Sequence, residues 1–90
     1  MTLYRLNAAV FATRVSYPGE TVRREWREGE DPTDPNLDAG FEFYIVTPQH
    51  IWIDEGSGNP YDGEWFTIRS LTGDHFNVRA EAIKKQSDLA

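Results

Sequence analysis

The sequence predicts a small, β-rich α+β domain: a mostly antiparallel curled sheet or barrel of five to six strands, with one short C-terminal helix. Three observations predict it. Short segments rich in Val, Ile, Phe, Tyr and Trp are separated by turn-forming Gly, Pro, Asn and Asp. The separators are short, which joins neighbouring strands antiparallel. The last stretch, rich in Ala and Lys, has helix-forming composition.

Taken in order, residues 3–17, LYRLNAAVFATRVSY, carry apolar groups on both alternating faces and read as one long strand, bent near Asn7–Ala9, with a helix as the competing reading. YPGE at 17–20 is a type II turn, with Pro18 presetting φ and Gly19 taking the positive φ that follows. TVRREWR at 21–27 reads as a strand after that turn. Val22 and Trp26 also suit a short helix, four residues apart. Residues 28–40 form a loop with Leu37 as its apolar anchor. FEFYIV at 41–46 alternates Phe41, Phe43 and Ile45 against Glu42, Tyr44 and Val46. Pro48 ends that strand or marks an edge or bulge. HIWID at 50–54 resumes it, EGSGNPYDGE at 55–64 is a second loop, and WFTIRSL, TGD and HFNVR make a hairpin over 65–79. RAEAIKKQSDL at 79–89 reads as the terminal helix, docked through Ala80, Ile83 and Ala82.

The chain has 90 residues, the length of one domain, expected over 1–90, and a chain this short buries a modest core. Its aromatics, 3 Trp, 4 Tyr and 5 Phe, are the material for that core, each able to bury about 150–250 Å². There is no cysteine, so disulfides, thiolate metal ligands and a cysteine nucleophile are excluded. A cysteine-free chain fits a reducing compartment, and the expected location is the cytoplasm. The opening MTLYRLNAAVFATRV places Arg5 and Asn7 where a secretory leader would be apolar. No apolar run has the roughly 18 residues of a membrane span.

Charge is the informative feature. The net charge is −6, but residues 28–64 hold ten acids and no Lys or Arg, while the chain has nine Lys and Arg elsewhere. Phosphate backbones and anionic lipid surfaces need cations, so direct nucleic acid binding and membrane binding are not expected. The expectation is a surface that docks on a basic protein partner, built from Glu28, Glu30, Asp31, Asp34, Asp38, Glu42, Asp54, Glu55, Asp62 and Glu64, with Tyr44, Trp52 and Tyr61 as aromatic anchors. One version imitates nucleic acid. The five acids of residues 28–38 span about 33 Å when extended, against about twenty phosphates over that length of duplex. The loop alone therefore falls short, and the later acids must fold onto the same side.

Other chemistries have thin support. Zinc needs about four ligands, and the only imidazoles are His50 and His75. Ser57, a histidine and Asp54 lack the strained turn of an activated nucleophile. Asp54, Ser57, Asn59, Asp62 and Glu64 miss the spacing of a calcium loop. GSGNPYDG has acids where a phosphate cradle needs cations. RREWR at 23–27 has the composition of a nucleic-acid stacking patch, but its arginines more simply balance the acidic segment. The chain is expected to be no enzyme and to need no cofactor or metal; no oligomeric state follows from the sequence.

Within DGEWFTIRSLTGDHFNV, the residues Gly63, Glu64, Trp65, Gly73, Phe76 and Val78 give a pattern that resembles a hairpin of small phage-encoded proteins. The resemblance covers under a fifth of the chain and implies a mobile-element origin without implying chemistry. A phage-type inhibitor of a host defence or replication protein is the corresponding expectation. The alternative is a structural or adaptor subunit of a larger, phage-type assembly, held by exposed aromatics or by edge pairing through FEFYIV.

Overall fold

A computed structural model of the chain describes residues 1–20, 34–46, 51–53 and 63–90. The chain forms β1 (Leu3–Leu6), β2 (Ala12–Val15), β3 (Glu42–Ile45), β4 (Ile51–Ile53), β5 (Gly63–Ser70), β6 (His75–Arg79), α1 (Ala80–Gln86) and β7 (Ser87–Leu89). The sheet runs β2-β6-β5-β3-β1-β7, antiparallel throughout, and β4 joins it on β5. This is the predicted small β-rich fold with one short C-terminal helix, as a curled sheet that does not close into a barrel.

The turns form where backbone chemistry demands. Gly19 has φ +83°, and the Glu20 N–H donates to the Tyr17 carbonyl at 3.2 Å, so 17–20 is the expected turn. In the β5–β6 hairpin the Gly73 N–H donates to the Ser70 carbonyl at 3.0 Å, and Gly73 has φ +93°. That is a tight turn closed by a glycine in the left-handed region.

Strand register divides the side chains between two faces. Tyr4, Leu6, Phe43, Phe66, Ile68, Val78 and Ala12 share the inner face, where Val10, Leu37, Ala80 and Ile83 complete the core. Phe43, Ile68 and Val78 are fully buried. Each such side chain contributes about 1.5–3 kcal/mol by leaving water. Helix α1 docks through Ala80 and Ile83, with Ala82 packed beside them.

The opposite face of β5 and β6 is covered as well. Thr67 and Asn77 face each other across the hairpin and are fully buried. The Thr67 hydroxyl donates to Asn77 Oδ1 at 2.7 Å and accepts from the Gly19 N–H at 3.0 Å, and the Asn77 amide donates to the Glu20 carbonyl at 2.8 Å. This chain of bonds pins the 17–20 turn over the sheet and leaves none of its members unsatisfied.

Three expectations are corrected. Residues 3–17 are two strands, not one bent strand. β1 and β2 lie near opposite ends of the strand order because the chain breaks at 7–11 and Val10 pairs instead with Leu37. The helix stops at Gln86: Ser87, Asp88 and Leu89 pair with β1 as β7. FEFYIV is no free edge, because β3 lies between β5 and β1 and its backbone is engaged on both sides. The expectations for 21–33, Pro48, His50, Asp54 and the 55–62 part of the second loop lie outside the described residues. Among the described residues, no helix is long and apolar enough to cross a membrane.

Candidate functional site

The described part of the acid-rich stretch starts from an anchor. Leu37 is buried, and its backbone exchanges two 2.9 Å hydrogen bonds with Val10. The Asn36 side chain completes the anchor: the Ala12 N–H donates to Asn36 Oδ1 at 2.7 Å, and Asn36 Nδ2 donates to the Ala12 carbonyl at 2.8 Å. The amide thus takes the place of a neighbouring strand on the outer edge of β2. Asp34 and Asp38, on either side of this anchor, are exposed.

The chain then turns into β3. Gly40, with φ +93°, lets the Phe41 N–H reach the Asp38 carbonyl at 3.2 Å, while the Gly40 N–H donates to the Leu6 carbonyl at 2.8 Å. Glu42 follows, opposite Arg5 on β1, and the two side chains form an ion pair at 3.2 Å. Arg5 is also opposite Asp88 on β7, so Glu42, Arg5 and Asp88 form one row across three strands. Asp88 is exposed, and its carboxylate accepts from the Asn7 side chain at 2.9 Å. Sequence reasoning missed Asp88, because only the β1–β7 pairing brings it beside Glu42.

Tyr44 lies on the same face as Glu42, under the guanidinium of Arg69 at 5.5 Å from the ring centroid. Glu64 stands at the other end of β5, opposite Trp52 of β4. It lines a cleft of about 430 Å³ with Gly63, Arg79, Glu81, Lys84 and Lys85. Glu42 lies just beyond the Phe43–Ser70 pair, and Glu64 stands six positions before Ser70 along β5. At the rise of an extended strand, Glu42 and Glu64 are therefore about 20 Å apart or more. Both sit beside cations of the protein's own. Glu28, Glu30, Asp31, Asp54, Glu55, Tyr61, Asp62 and the side chain of Trp52 lie outside the described residues.

Arg14 pairs with Asp74 at 2.8 Å and Lys85 with Glu81 at 2.6 Å. The Lys85 hydrogen bond and charge hold the Glu81 carboxyl below the ordinary value of 4.5. Among the described residues, no three His, Asp or Glu side chains gather as metal ligands. His75 faces Arg69 and Val15 across its two neighbouring strands.

No protein-family model matches this chain, and neither a curated protein nor a solved structure matches it.

Proposed function

We propose that the protein is a non-enzymatic binding module that docks on a basic surface of a protein partner through its acid-rich stretch, residues 28–64. One observation carries the reading: 37 consecutive residues without Lys or Arg in a chain that has nine of them elsewhere. The described geometry supports it in two ways. Asn36 and Leu37 anchor the stretch to the sheet, so that Asp34 and Asp38 project from a fixed backbone rather than a free coil. β7 adds Asp88 beside the Arg5–Glu42 ion pair, which leaves the row Glu42–Arg5–Asp88 with a net charge of −1. Fixed charges lose less entropy on binding and favour fast, salt-sensitive association.

In the phage or mobile-element version, the partner surface is a nucleic-acid-binding face of a host defence or replication protein, and the module inhibits by occupying it. The cysteine-free composition fits work in the cytoplasm. The test is capture from a host lysate with wild-type protein and with a variant carrying Glu30→Lys, Asp31→Lys and Asp34→Lys. A basic protein should be held by wild type at low salt, be released at high salt and be lost by the variant, with the variant's melting curve essentially unchanged. Equal capture by both proteins would refute the reading.

The alternative, a structural or adaptor subunit, draws on exposed apolar groups: Tyr17 and Leu71 are 58% and 59% exposed, and Leu89, on the outer strand β7, is 72% exposed. Salt-insensitive association that weakens on Leu89→Ser would favour it.

A further inference from the structure

Two arginines lie over aromatic rings, Arg79 over Trp65 at 4.5 Å and Arg69 over Tyr44 at 5.5 Å. Arg5 and Arg14 turn their guanidinium N–H groups to Glu42 and Asp74. Among the described residues no carboxylate pairs with Arg69, although Glu42 lies on the same face, two residues from Tyr44. Arg69 instead lies over the Tyr44 ring, facing it directly across β5 and β3. Stacking engages the flat face of a guanidinium and leaves its N–H edge available for acceptors in its own plane.

A third side chain completes the row. His75 faces Arg69 across β5 and β6. Because the Ser70 N–H donates to the Asp74 carbonyl, hydrogen-bonded pairs in this hairpin fall on even positions, and Arg69–His75 is a non-hydrogen-bonded pair. In such pairs side chains stand closest, about 4.5–5.5 Å between Cβ atoms. Tyr44, Arg69 and His75 are thus aligned on the sheet face opposite the main core, and all three are half-buried. Neighbouring parts of this face are already engaged. Arg5 and Glu42 satisfy each other on one side, and the 17–20 turn covers Thr67 and Asn77 on the other.

We propose that this row is an oxyanion-recognition site for a ligand's carboxylate or phosphate. The Arg69 fork donates to two oxygens, Tyr44 holds the guanidinium over its ring, and His75 offers a ring N–H from the adjacent strand. The net charge of −6 repels free anions at long range, so recognition depends on direct contact and stays weak for small ions. The site shares Tyr44 with the acid-rich stretch but none of its carboxylates, so its failure leaves that reading standing.

The test is a nuclear magnetic resonance titration of the ¹⁵N-labelled full chain at constant ionic strength. Inorganic phosphate is used in one arm and glutarate in the other. Saturable shifts should appear at the Arg69 Nε–H and at the Tyr44 and His75 amides, and the arm with tighter binding identifies the oxyanion. Arg69→Gln should weaken binding roughly tenfold or more, as expected for loss of charge-assisted hydrogen bonds, while Lys84→Gln should leave it unchanged. Arg69→Lys keeps the charge without the fork and should weaken binding several-fold. Shifts that do not saturate, that centre on Lys84 and Lys85, or that survive Arg69→Gln or Arg69→Lys at full affinity overturn the proposal. Should Arg69→Gln fail to fold, Arg69→Lys decides.

Discussion

Asn36 finishes a strand with its side chain. An exposed edge offers unpaired N–H and C=O groups to any passing strand, and natural sheets blunt such edges. The Asn36 amide satisfies both groups of Ala12 at once, at 2.7 and 2.8 Å, while the adjacent Leu37 enters the core. One dipeptide therefore protects β2 and fixes the acidic loop beside it. Asn36→Ala should destabilise the fold by about 1–3 kcal/mol, the range for leaving partly buried polar groups without partners. Urea denaturation measures the loss, and hydrogen exchange at the Ala12 amide should accelerate with it. An unchanged midpoint and unchanged protection would mean that water replaces the amide at no net cost. Nothing around Asn36 in the sequence marks this role, because an asparagine between Pro35 and Leu37 reads as an ordinary turn former.

At the scale of elements, α1 is short and has no side-chain N-cap, so its stability comes from docking Ala80 and Ile83 rather than from its own nucleation. Glu81 and Lys85 add a pair one turn apart on the solvent side, oriented with the acid nearer the N-terminus, which suits the helix dipole. Lys85 lowers the Glu81 pKa, first through its hydrogen bond and then through its charge. A carboxyl with a depressed folded value contributes its support fully above the unfolded value. That support fades as the pH falls through the folded one. The helix should therefore lose it in acid, below the ordinary 4.5. A carboxyl-carbon titration should find Glu81 below that value in the wild type and returned toward it in Lys85→Met. The same titration midpoint in both proteins would discount the pair. Composition indicated this helix correctly up to Gln86. Its end was not legible, because Ser87–Leu89 becomes a strand only by pairing with β1, more than eighty residues earlier in the chain.

Across the whole molecule, the two ends of the described chain are stitched together. Leu3 accepts from the Ala90 N–H at 3.0 Å, Asn7 holds Asp88, and β7 covers the edge that β1 would otherwise present. A chain ending at Gln86 should lose about 2–3 kcal/mol, on the order of a few net hydrogen bonds. For a domain of this size that lowers the melting temperature by roughly 10 °C or more. The exposed β1 should also make the protein self-associate as concentration rises. Thermal melts and sedimentation at two concentrations measure both effects; an unchanged, monomeric protein would show β7 to be ornamental.

What the sequence determined by itself is what short-range chemistry controls. Gly19 and Gly73 had to take positive φ, so the 17–20 turn and the 70–74 hairpin were readable. Alternation in FEFYIV and the 65–79 hairpin put Phe43, Phe66, Ile68 and Val78 inside. The absence of Lys and Arg from residues 28–64 is likewise a property of order alone. Tertiary structure decided what depends on partners far along the chain. It split residues 3–17 between two strands, made a strand of Ser87–Leu89, placed β3 inside the sheet and set Arg69 between Tyr44 and His75. A turn is specified by the dihedral limits of a few neighbouring residues, whereas a strand's register and neighbours are specified only when distant backbone groups meet.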